Sequence, residues 1–222
     1  WQLREQMTWF WMNHFTVFQG KANVRWTLAE YEDTLRAHAL GRFSDLVMAS
    51  LTSPAMLEYL DNTQSAVNRI NENYARELME LHTLGVSGGA SGSHYTQQDV
   101  QELARVLTGV GLNTSGTTPK LNPKLQALYV RRGLFEFNPA RHDYSDKMFL
   151  GHLIRGEGLA EVDEAERSFA RLFLFVVRRK LDALELNLFR IDRYVGDVDV
   201  IVQQNRLELD HAVGELQVTL EL

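Results

Sequence analysis

Residues 71–85 read Asn-Glu-Asn-Tyr-Ala-Arg-Glu-Leu-Met-Glu-Leu-His-Thr-Leu-Gly, and the spacing of apolar residues in this stretch decides the fold class. With side chains turning about 100° per residue, Ile70, Tyr74, Leu81 and Leu84 share one face of an amphipathic helix. Glu77 stands in the middle of that face, flanked by Asn73 and Glu80. An ionised carboxylate on a buried stripe is costly unless it is paired, hydrogen-bonded or metal-bound. The helix therefore demands a partner from elsewhere in the chain, and Gly85 ends it.

Leu3, Met7, Phe10, Trp11 and Phe18 predict a helix over 2–18, and a second spans 27–40 with Gly41 as its stop. Ser44 and Ser53-Pro54 open two shorter helices, running to about Leu51 and Leu60. A glycine- and serine-rich loop covers 86–95. After it, Thr96 and Asp99 make a capping-box start for a helix whose core stripe is Val100, Leu103, Leu107 and Val110. Residues 113–124 read as a loop. Phe135-Glu136-Phe137 and Met148-Phe149-Leu150 then predict one short β-hairpin, about 134–151, around a long polar turn. A helix comes next, over about 159–181. Beyond it 197–202 and 215–222 alternate like strands, although 184–194 also reads as helix. The expected architecture is a mainly α, multi-helix domain over 1–181, with a divergent tail over 182–222.

The chain has 222 residues, 45% of them apolar, enough for one sizeable core or two small ones. Its net charge of −6, with basic residues scattered, argues against a nucleic-acid surface. With no cysteine, thiol nucleophiles, disulfides and Cys-ligated metals are excluded. No apolar run approaches the ~20 residues that span a bilayer. The first residue is Trp1, inside an amphipathic pattern, so the chain is expected to be a piece of a longer protein.

Several blocks, in one order, resemble a known bacterial family, the domain of unknown function 1800 family. Trp11-Met12-Asn13-His14-Phe15 looks like its Trp-His-Asn-His-Phe. Pro54-Ala55-Met56-Leu57 with Tyr59-Leu60-Asp61-Asn62 is the next block, and 71–85 matches almost letter for letter. Tyr95 to Val100, Ala104 to Gly109, Phe137, His142-Asp143, Lys147 and Leu150-Gly151 continue the run. Met12 stands where the family has a histidine, Ser145 replaces a turn glycine, and the 87–93 loop is longer than usual. The resemblance fades past about Lys180. It implies a bacterial, exported protein, periplasmic or extracellular, and association with a sulfatase-like protein of the domain of unknown function 1501 family.

His14 also lies on an apolar stripe, so His14 and Glu77 are candidates to pair across two helices, as catalytic residues or as a core pair that fixes helix register. Asn73 and Glu80 are candidates to orient Glu77 or touch substrate. His142-Asp143 in the turn would complete a divalent-metal set of His14, Glu77, His142 and Asp143, suited to zinc, manganese or iron. The competing reading is an Asx turn at Asp143 beside a solvent-facing histidine. His82 lies about 140° around the helix from Glu77, with Ala75 and Leu78, and the family motif accepts an aromatic residue there, so packing is its expected role. Two functions remain open: a metal- or acid/base-dependent hydrolase acting on an extracellular substrate, or a non-catalytic binding or assembly protein. Convergence of the four side chains around an open position would favour the first, and separate satisfied pairs the second.

Overall fold

The computed structural model describes residues 2–86, 95–158 and 160–161. Nearly all of the expected glycine–serine loop and 159–181 helix, and the whole tail over 182–222, lie outside the described residues. Within them the chain is mainly helical with short antiparallel strands.

Helices α1 (Gln2–His14), α2 (Leu28–His38), α3 (Phe43–Leu51) and α4 (Pro54–Tyr59) build the first half. Their packing is interlocked by aromatic donors. A helix leaves its last carbonyls without intrahelical partners, and burial of such a group is costly. The Trp11 indole N–H donates to Ala39 O, at the C-cap of α2, at 3.1 Å. The Tyr31 hydroxyl donates to Phe15 O, one residue past α1, at 2.6 Å, and Tyr74 donates to Leu51 O, the last residue of α3, at 2.8 Å. All three rings are fully buried, so each both fills the core and satisfies the end of a neighbouring helix. Burial pushes the Tyr31 phenol above its ordinary range, only partly offset by Ser50, and burial does the same to Tyr74. Both remain donors at any ordinary pH.

The 71–85 stretch corrects the wheel. Asn71 is an extended N-cap whose side chain accepts from Asn73 N at 2.9 Å, so Ile70 precedes the helix altogether. Helix α5 (Glu72–Glu77) passes into a π-helical segment, Leu78–Thr83, with Leu84 N donating to Met79 O at 2.8 Å and the Thr83 hydroxyl to Leu78 O at 2.7 Å. The buried face is Tyr74, Ala75, Leu78, Met79 and His82, whereas Ile70 is 41% and Leu81 56% exposed. Leu84 is buried because the wider π turn re-phases the residues after it. Glu77 is therefore half-buried at the edge of this face, not at its centre.

Helix α6 (Gln97–Val106) opens on the expected capping box. Thr96 N and Oγ each donate to Asp99 Oδ2 at 2.7 Å, and Asp99 N donates back to the Thr96 hydroxyl at 3.2 Å. Val100, Leu103, Leu107 and Val110 are all buried, as the stripe requires.

The single hairpin expected over 134–151 is two separate sheets. β1 (Val110–Leu112), β2 (Val130–Arg132) and β3 (Phe135–Phe137) form a three-stranded sheet in the order β1-β3-β2, with the short helix α7 (Pro123–Gln126) between β1 and β2 in sequence. Val110 and Val130 both pair with Phe137, so both edges of β3 are taken and neither is left for the Met148 strand. That strand, β4 (Lys147–Phe149), turns back on β5 (His152–Ile154) instead. The turn places Leu150 at φ 51° and Gly151 at φ 77°, the signs of a two-residue type I′ hairpin. A leucine there is strained, and Asp99 Oδ1 supports it by accepting from Leu150 N at 2.7 Å.

One carboxylate thus caps α6 and anchors the β4–β5 turn. Asp99→Ala should lower unfolding stability by about 2–3 kcal/mol, more than the ~1 kcal/mol of a lost cap alone. Chemical denaturation measures it, and a cost below about 0.5 kcal/mol would show that the turn does not depend on this contact.

Candidate functional site

A buried polar cluster lies where α6 meets the strand connections. Thr108, just beyond α6, donates its hydroxyl to Arg105 O at 2.6 Å and accepts from Asp143 N at 2.9 Å. Its carbonyl lies 2.7 Å from His142 Nδ1. A carbonyl only accepts, so Nδ1 carries a hydrogen. His142 Nε2 lies 2.9 Å from Glu161 Oε1, which also accepts from Gly158 N at 2.9 Å. With Nδ1 already a donor, one further proton bridges Nε2 and Oε1. Glu161 Oε2 meets Lys147 Nζ at 2.5 Å, and Lys147 also donates to Asp143 O. The side chains of His142, Lys147 and Glu161 are 0% exposed. Phe137 and Tyr144 close the imidazole edge-on, with centroids at 5.1 and 4.9 Å.

Backbone geometry brings these groups together. Gly109 has φ 80°, and a Cβ there would lie 2.7 Å from Asn138 O and 3.2 Å from His142 Cβ. Only glycine lets the end of α6 approach the β3 connection this closely. Lys147 and Phe149 share the inward face of β4, which aims the ammonium at Glu161.

Asp143 belongs to a neighbouring network. Its Oδ2 accepts from Arg105 Nε at 2.9 Å, and its Oδ1 accepts from Ser145 N at 2.9 Å, which closes an Asx turn. Burial alone would raise its pKa, but the Arg105 guanidinium and the Ser145 N–H and hydroxyl outweigh burial and hold the carboxyl below the usual range. The Asx turn is present as the competing sequence expectation has it, but its histidine is buried rather than facing solvent.

The helix candidates lie elsewhere. His14 Nε2 donates to His82 O at 2.9 Å, and its ring packs against Phe10, Trp11 and Phe15. Glu77 has no hydrogen bond or ion pair with a described residue and does not meet His14. Asn73 donates to Leu60 O at 3.3 Å, and Glu80 lies 3.7 Å from Arg76, so neither orients Glu77. Among the described residues no group of three or more His, Cys, Asp or Glu side chains is placed to hold a metal ion. The set His14, Glu77, His142 and Asp143 is therefore not assembled: His142 and Asp143 are adjacent but committed to different partners. His82 packs as expected, beside Phe15 at 5.2 Å between centroids. Burial, and then the neighbouring His14, lowers its pKa to about 3.

Sequence reasoning misses Lys147, Glu161, Thr108 and Arg105. A lysine two residues before an inward phenylalanine in a strand is the available signal for the first. Glu161 gives no local signal, because its role depends on what a distant strand delivers.

A family model described as "Protein of unknown function (DUF1800)" matches residues 1–171, and the chain belongs to that family. No curated protein and no solved structure matches it.

The buried charges should respond to substitution as a unit. Lys147→Met should cost about 3–5 kcal/mol, because it leaves buried groups unpaired. Adding Glu161→Leu should recover part of that loss, since it removes the buried carboxylate left without its ammonium. Additive costs in denaturation would refute the coupling. His82 is neutral in the fold and its pKa is depressed, so protons bind the unfolded chain first. Stability should fall as pH drops from about 6.5 toward 3, by up to ~1.4 kcal/mol per unit, with no effect above that window. His82→Phe should flatten this slope, and an unchanged slope would assign the effect to other groups.

Proposed function

We propose that this family member is a non-catalytic binding or assembly module of an exported bacterial protein, working beside a sulfatase-like protein of the domain of unknown function 1501 family. The observation that carries the reading is the occupancy of His142: both ring nitrogens are engaged, by Thr108 O and Glu161, and its side chain is closed to solvent. An imidazole so placed has no lone pair to offer a substrate proton or a metal. Asp143 is likewise committed, to Arg105 and Ser145. The hydrolase reading needs His14 and Glu77 to converge with these groups, and the described geometry gives it no support. Export and the sulfatase-like partner rest on the sequence resemblance.

Size-exclusion chromatography of the chain mixed with the sulfatase-like protein tests the proposal. Co-elution is expected for wild type and for Glu77→Gln alike. Glu77→Gln should change stability by less than about 0.5 kcal/mol, as substitutions away from buried networks do, and should leave metal content by elemental analysis unchanged. Separate elution would remove the assembly role, and a stoichiometric metal lost in Glu77→Gln would restore the hydrolase.

A further inference from the structure

Two described carboxylates are buried beyond nine-tenths, Glu161 and Glu136. The first is paired; the second is not. Glu136, at 6% exposure, sits in β3 between β1 and β2 and forms no ion pair with a described cation. Arg131 stands directly across the β2–β3 ladder, but its Nε donates to Gly133 O at 3.1 Å. Glu136 Oε2 accepts from the Tyr129 hydroxyl at 2.8 Å, while Oε1 has no hydrogen bond from a described residue. Oε1 is also not sealed in, since Asn62 Oδ1 is the only described side-chain atom that is both buried and unsatisfied.

Glu136 lines an open cleft of about 320 Å³ between β3 and the loop after β1. That volume falls at the small end of the ~300–1,000 Å³ typical of ligand sites. The site is held in advance of any ligand. Asn113 donates to the Tyr129 oxygen at 3.0 Å and to Thr117 O at 2.8 Å, and it accepts from Ser115 N at 3.1 Å. The Tyr129 hydroxyl is thereby engaged on both sides and aims the carboxylate. Among the described residues, three lining side-chain groups have no protein partner: Glu136 Oε1, an acceptor, the Asn138 amide N–H2, a donor, and the Thr114 hydroxyl, which is both. Leu112 and Pro119 supply apolar wall.

We propose that this cleft binds a neutral polyhydroxylated ligand, one or two sugar units of an extracellular glycan, with Glu136 Oε1 accepting from a sugar hydroxyl. Hydroxyls both donate and accept, which matches the mixed free groups. A cation would leave the Asn138 donor facing it, and an anion would be repelled by Glu136. The inference deepens the binding role proposed above and rests on it for the extracellular location and for the absence of turnover.

Saturation-transfer NMR of the full 222-residue chain with cellobiose, maltose and N,N′-diacetylchitobiose tests it. At least one disaccharide should bind and be recovered uncleaved. Glu136→Gln and Thr114→Val should each weaken binding about tenfold with unchanged melting temperature; Thr114 is exposed, so that variant folds. No binding at millimolar concentration, binding indifferent to both variants, or preferential binding of a propylammonium probe would overturn the proposal. Cleavage of a bound disaccharide that still depends on Glu136 would support the glycan site while removing the non-catalytic reading.

Discussion

The two oxygens of the Glu161 carboxylate join the strand region to the helical body. One takes His142 and Gly158 N–H, the other takes Lys147, and the far nitrogen of His142 continues to Thr108 at the end of α6. Charges this deep cannot be left alone, since each carries a large desolvation cost, and they persist because each charged group meets partners of complementary character. The consequence is positional. An apolar plug would tolerate a hairpin displaced by about an ångström, whereas these hydrogen bonds hold β4 and residues 158–161 in one place relative to α6.

The helical half solves a related problem with neutral groups. Trp11, Tyr31 and Tyr74 each donate to a carbonyl at the end of another helix. Helix ends are where a small bundle loses most backbone hydrogen bonds, so aromatic residues there act as core and cap at once. Arg141 extends the stitching toward the sheet, donating to Thr63 O at 2.7 Å and Ser65 O at 3.1 Å. Within the described region, polar chemistry serves mostly assembly. Glu136 departs from that pattern, and the departure is what marks it as a ligand group.

The candidate site is half legible in the sequence. His142 and Asp143 stand out from their place in a polar turn, and the structure puts them in a buried cluster and at its edge. The pairing of their partners is not legible there, because Lys147 and Glu161 become a pair only when β4 folds back on β5 and brings an inward lysine to the start of the next segment. Glu77 is misplaced by the wheel for a different reason. The wheel admits Ile70, which precedes the N-cap, and Leu84, which lies beyond a π segment, and so rotates the apparent face away from Ala75, Leu78 and Met79. Glu136 escapes notice because alternation in a three-residue strand marks it as outward. It is enclosed by β2 on one side and, on the other, by β1, whose paired residue Gly111 lies 25 positions earlier in the chain.

Local signals alone placed the helices to within a few residues and determined the Thr96–Asp99 box, the Val100–Val110 stripe, the packing role of His82 and membership of the family, although α1 stops at His14 rather than Phe18 and α3 opens at Phe43, ahead of Ser44. These depend on residues within a turn or two of one another, where backbone geometry leaves few choices. The tertiary structure decided strand pairing, the π segment, and which carboxylates would be neutralised by the protein and which left open. Those outcomes depend on edges, volumes and charges supplied by segments far apart in sequence. A buried charge is stable only when its partner arrives, and no local pattern records the arrival.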